Sequence, residues 1–266
     1  MTHQSVDWKR VKAALIQYAR VHSVTNSRVN CVMQVLPALV SLCGHYTKSR
    51  RMAVRIGEVL VSNQHPRILA PSCPDYTHEQ GRYTFQGVGG SVPLLTRKHL
   101  RFLRKVCSLL PGSHVTILVA DQEVNDQAIC KAVGLTPEDF RRLIEASVRQ
   151  TSKRVSGLGW EVRLMTQYIP QFLSLESARE RELLADPVHI SRLETDTIAR
   201  HGLYRRIGQF TREEMLARTA RTAAQYLVLG TFAQGKGMLI CNHSTTSLSW
   251  YLKTRVGVLH NPITVY

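Results

Sequence analysis

Paired cysteines are missing from this chain of 266 residues: Cys31, Cys43, Cys73, Cys107, Cys130 and Cys241 stand singly, with no C-x-x-C and no Cys/His grouping at zinc spacing. That pattern excludes a disulfide framework or a zinc module as the organising device. The thiols are expected to be reduced core residues, and no metal is expected. Long apolar runs are missing too, and Met1 to Arg10 contains no apolar signal segment, so a soluble cytoplasmic protein is the expectation. Neither G-x-x-x-x-G-K-[ST] nor G-x-G-x-x-G occurs at a strand-to-helix turn, which leaves no phosphate loop and predicts no nucleotide cofactor. Acids are scarce: 19 Asp+Glu face 35 Lys+Arg, for a formal charge of +16.

What is present suits a folded domain, with 44% hydrophobic and 20% charged residues. The positive field favours a polyanionic partner. Up to residue 60, Lys9, Arg10, Lys12, Arg20, Arg28, Lys48, Arg50, Arg51 and Arg55 are opposed only by Asp7 and Glu58. Residues 1–64 therefore read as a basic helical region. Residues 65–266 read as a Rossmann-like catalytic domain, the two forming one compact unit.

Helical periodicity runs from 7 to 22, with Trp8, Val11, Leu15, Tyr18 and Val21 on one side, and again over 28–43 and 50–62. Arg67 to Ser72 and His114 to Ala120 are short apolar runs of the kind that form buried parallel strands. Tyr83 to Gly90 is expected to be a loop on its glycines. Over 95–110, Leu95, Phe102, Val106 and Leu109 share a face, while Arg97, Lys98, Arg101, Arg104 and Lys105 make a basic one until Pro111-Gly112 stops the helix. Thr136-Pro137-Glu138-Asp139 and Thr211-Arg-Glu-Glu214 are helix starts. Trp160 to Ile169 and Met238 to Cys241 are further strand candidates, followed by a helix near 248–253 and a strand within 256–265. Strands alternating with helices predict an α/β fold with a mostly parallel sheet and helices on both faces.

In such sheets ligands lie beyond the carboxyl ends of the strands. Ser72 ends the first strand, as a nucleophile, a hydrogen-bond donor or a plain turn residue. Asp121, Glu123 and Asp126 follow the second, where clustered carboxylates can bind an amine, move protons or hold magnesium. Asn242 and His243 follow the strand at 238–241. Tyr76, just past Ser72, is a further substrate-binding candidate.

Two resemblances follow from these segments. Pro111 to Asp126 with Val133 to Phe140 resembles the part of isocyanide synthases where a strand ends in an acidic turn ahead of a helix cap; those enzymes act on the amine of a free aromatic amino acid. Ser72, Tyr226 within Gln-Tyr-Leu-Val-Leu-Gly230, and Met238 to His243 are similar to tRNA-dependent cyclodipeptide synthases, whose fold is like the catalytic domain of class I aminoacyl-tRNA synthetases. That resemblance implies a catalytic serine at Ser72, a catalytic tyrosine at Tyr226 and aminoacyl-tRNA as substrate. The family's glutamate one turn after the tyrosine would fall at Gly230, and its glycine before the serine is Ala70 or Pro71 here, so Asp121 or Glu123 would carry the proton work.

Three readings follow: an aminoacyl transferase using two aminoacyl-tRNAs, an isocyanide-synthase-like enzyme on a free amino acid, and an RNA-binding protein without catalysis. Charge discriminates among them, since a free amino acid needs no large positive field and a tRNA does. The first is favoured, with the basic face of residues 97–105 as the tRNA contact.

Overall fold

A computed structural model describes residues 6–44, 47–72, 75–79, 82–86, 97–127, 130, 135–207, 210–242, 251 and 256–260. Three helices come first: α1 (Trp8–Val21), α2 (Asn26–Leu42) and α3 (Arg50–Ser62). Asp7 caps α1 by accepting from the Arg10 amide at 3.1 Å, and Ser49 caps α3 by accepting from Met52 at 3.2 Å. The buried face of α1 is Val11, Leu15 and Ala19. Val21, expected on that stripe, is 73% exposed, because a helical period of about 3.6 carries it off the face that Ala19 occupies.

Strand β1 (Arg67–Ser72) leads into a hairpin of β2 (Asp75–Glu79) and β3 (Arg82–Gln86), paired antiparallel with Tyr76 opposite Phe85. The expectation of a loop from Tyr83 is thus corrected: the β-forming Tyr83, Thr84 and Phe85 pair before the glycines begin. Helix α4 (Arg97–Leu109), strand β4 (His114–Val119), helix α5 (Pro137–Val155) and strand β5 (Glu161–Leu164) follow. The strand predicted to reach Ile169 stops at Leu164, where α6 (Met165–Tyr168) begins. Then come α7 (Phe172–Ala185), α8 (Pro187–Ile207), α9 (Arg212–Gly235), β6 (Leu239–Asn242) and β7 (Val258–His260). Of the helix expected near 248–253 only Tyr251 lies among the described residues.

The principal sheet has the order β5-β4-β1-β6-β7, every pair parallel. From β1 the chain adds strands on one side and then returns to add them on the other, which is the doubly wound order of a Rossmann-type α/β fold flanked by helices. Strands β1 and β4 are buried along five of six positions each, as strands covered on both faces must be. One hydrophobic core runs from Val11, Leu15 and Leu36 through Ile68, Ile117 and Leu239, so α1–α3 and the sheet share it. A smaller cluster joins Val119 to Phe140 and Ile144 under α5, and another joins α7, α8 and α9 through Leu183, Leu193, Ala220, Ala223 and Tyr251.

The turn between α4 and β4 depends on Gly112. Its φ is +78°, and a Cβ there would lie 2.2 Å from His65 Nδ1. Gly112→Ala is expected to lower unfolding free energy by about 2 kcal/mol, from left-handed backbone strain and the displaced imidazole. Urea denaturation checks this.

Of the thiols, Cys43, Cys130 and Cys241 are buried as expected, while Cys31 is exposed on α2. Burial pushes the Cys43 thiol up to about 12, against hydrogen bonds from Thr47 and the His260 backbone.

Candidate functional site at the carboxyl edge of the sheet

The doubly wound order changes direction at β1, between β4 on one side and β6 on the other, which is the position where open α/β sheets bind their ligands, beyond the carboxyl ends of the strands. Ser72 is the last residue of β1, opposite Val119 of β4, and its carbonyl accepts from the Ala120 amide at 2.9 Å. It is 1% exposed. Asp121 comes just after β4, and Asn242 ends β6 beside β1. The backbone thus brings three of the predicted positions to one edge.

Asp121 is tied down. Its Oδ1 accepts from the Thr166 amide at 3.0 Å and its Oδ2 from the Thr166 hydroxyl. The carboxylate therefore caps the helical turn that ends β5, which is why the chain leaves the extended state at Leu164. Gln122 opens a 3-10 turn, Gln122–Asn125, that also carries Glu123. The Gln122 amide is buried, and its Oε1 has no hydrogen-bond partner among the described residues. A buried acceptor left in this way calls for a donor.

Asp126 joins two further helices to this edge. Its Oδ1 accepts from Arg218 Nη2 at 2.9 Å and its Oδ2 from Arg221 Nη1 at 3.4 Å, both on α9. Arg221 also reaches Glu180 of α7 at 3.3 Å, and one turn on, Gln225 donates to the buried Glu176 at 2.7 Å. The Arg218 guanidinium lies 4.3 Å from the centre of the Phe210 ring. Burial alone would depress the Arg221 guanidinium, but Glu180, Asp126 and Glu176 together raise it.

Tyr226 follows Gln225 on α9, half-buried between the main core and the α7–α9 cluster. Helix α9 runs antiparallel to β6 and ends at Gly235 by the strand's amino end. At about 1.5 Å per residue, Tyr226 stands roughly 13 Å back along the axis, comparable with the length of a strand rising about 3.3 Å per residue. The helix thus carries Tyr226 toward the same edge, with Arg218 and Arg221 beyond it at Asp126. Gly230, one turn after Tyr226, is buried in the helix.

Sequence reading missed Glu176, Glu180 and Gln122. Helices α7 and α8 lack a sustained apolar stripe, and their packing partner is a small-residue face, Ala220, Ala223 and Ala224, that carries little hydrophobic signal. Gln122 sits between two acids, Asp121 and Glu123, and a lone amide carries no sequence signal of its own.

On α4, Leu100, Phe102, Leu103 and Val106 are buried, whereas Arg101, Arg104 and Lys105 are exposed and make no ion pair among the described residues. His243 lies outside the described residues, as does Leu95, and so do the side chains of Tyr76, Arg97, Lys98, Glu123 and Asn242. Among the described residues no group of three His, Cys, Asp or Glu can hold a metal ion, and no helix is long and apolar enough to cross a membrane.

Comparisons with protein families, with curated proteins and with solved structures find no match to this chain.

Proposed function

We propose that this protein is a tRNA-dependent aminoacyl transferase that joins two aminoacyl groups into a cyclodipeptide through an ester on Ser72. The observation that carries the reading is the place of Ser72: it ends the central strand at the switch point of the sheet, where α/β folds bind their ligands. In the proposed reaction the Ser72 hydroxyl attacks the carbonyl of the first aminoacyl ester, and the released ribose hydroxyl takes up a proton. The amine of the second aminoacyl-tRNA then attacks the seryl ester and frees Ser72. Closure of the dipeptidyl ester on its own amine releases the product.

Each step breaks an ester and forms an ester or an amide, so no external activation is needed. Asp121 is held by Thr166 and Asp126 by two arginines, so we assign the proton transfers to Glu123. Tyr226 faces the aminoacyl group in this reading, with Asp126, Asn242, His243 and Tyr76 around the substrate. The Gln122 carbonyl oxygen is an acceptor for the substrate ammonium.

The RNA-borne substrate rests on charge. Replacing Arg101, Arg104 and Lys105 with alanine is expected to weaken tRNA binding and to flatten the slope of log affinity against log salt by up to about three units, one for each lost phosphate contact. Thermal stability should hardly change, because these residues are exposed and make no ion pair among the described residues. An unchanged slope would remove α4 from the tRNA contact.

Mass spectrometry of small molecules from a host expressing the protein tests the reading as a whole. Cyclodipeptides absent from the empty host are the expected result. An isonitrile made from free tyrosine or tryptophan would replace it with the free-amino-acid reading.

A further inference from the structure

We infer that the groove between α1 and α3 is a second contact for the phosphate backbone of RNA, separate from the exposed cations of α4. The groove encloses about 770 Å³ and is lined by Arg10 and Gln17 of α1 and by Arg50, Arg51, Arg55 and Glu58 of α3. Four arginines line it with one acid, and of the four Arg10 is also paired with Asp7 at 3.3 Å. Guanidinium groups fork onto phosphate oxygens, and a row of them along an open groove fits a polymer of phosphates better than a single anion.

Among the described residues nothing offsets the charge of two of these arginines. Arg50 and Arg51 occupy the first turn of α3, at the positive end of the helix dipole, where cations are disfavoured and acids preferred. The first turn contains no acid, and neither arginine makes an ion pair or hydrogen bond among the described residues. Both are exposed. An arrangement that works against its own helix points to a ligand that supplies the negative charge.

Position selects RNA. The Thr47 hydroxyl donates to the Val258 carbonyl at 3.0 Å and accepts from the His260 amide at 2.9 Å, while the Gly44 amide donates to the His260 carbonyl at 2.8 Å. These bonds fasten the start of α3 to the carboxyl end of β7. Strand β7 is two strands from β1, about 10 Å across the sheet. A chain of phosphates held by Arg50 and Arg51 therefore lies at the edge of the sheet that carries Ser72. The inference rests on the RNA part of the proposed function and not on its chemistry.

The test uses the full chain, deacylated bulk tRNA as probe, and the paired variants Arg50→Ala with Arg51→Ala and Arg50→Glu with Arg51→Glu. The alanine pair is expected to lower tRNA affinity about tenfold and the salt slope by one to two units, and the glutamate pair to lower affinity further. Relief of the dipole conflict should leave both variants melting at or above the parent's temperature, the glutamate pair highest. Loss of binding together with gain in stability separates a ligand contact from a structural role. Parental affinity and slope in both variants would overturn the inference, as would a parent that binds no tRNA or binds inorganic triphosphate in its place. Groove-dependent tRNA binding without any cyclodipeptide would uphold this inference and remove the aminoacyl-transfer reading.

Discussion

Ser72→Ala is expected to lower cyclodipeptide formation by about a thousandfold or more while leaving the protein folded. The side chain loses one oxygen at a position that is already buried, and alanine fits the space that serine fills. The strand keeps its pairing, because β1 is bound to β4 and β6 through backbone groups that the substitution does not touch. Product formation measured beside an unfolding curve checks both halves. Product formed at the parental rate would take the nucleophile away from Ser72, and a collapse of the unfolding transition would make its role structural.

Asp126→Ala carries the largest expected effect on stability, about 3 kcal/mol by urea denaturation. The Asp126 side chain is only 11% exposed and is the carboxylate bonded to Arg218, itself 15% exposed. Its removal leaves that guanidinium in a poorly hydrated place with its counter-charge gone, the costly way to break an ion pair. Arg221 is less affected, being 44% exposed and retaining Glu180. Arg212→Ala supplies the contrast: its pair with Glu194 has side chains 74% and 42% exposed, and its loss should amount to less than about 1 kcal/mol. Equal effects from the two substitutions would show that Asp126 does not hold α9 to the carboxyl edge.

Where the sequence alone was informative, one local physical signal sufficed. The apolar runs Arg67 to Ser72 and His114 to Ala120 have the pattern of buried parallel strands, and Thr136 and Thr211 mark the starts of α5 and α9 through their caps, with the Glu214 capping box formed as spaced. The hairpin of β2 and β3 was hidden by the glycines that follow it. Helices α7 and α8 were hidden because they pack Leu183 and Leu193 against a face of alanines, Ala220, Ala223 and Ala224, so no apolar period marks them. For the site, strand ends were legible and partnerships were not. Asp121, Glu123 and Asp126 look alike as a cluster of acids. Only tertiary contacts show Asp121 capping α6 through Thr166 and Asp126 clamping two arginines about 90 residues away. The carboxylates that hold Arg221 and Gln225, Glu180 and Glu176, come from a helix that no strand-end rule reaches.

The most direct measurement mixes the purified protein with aminoacyl-tRNA labelled in its amino acid, quenches in acid, and maps the label in peptides of the denatured chain. One aminoacyl group in ester linkage on Ser72 is the predicted result. No covalently held label, or label on the neighbouring Cys73, would contradict the account.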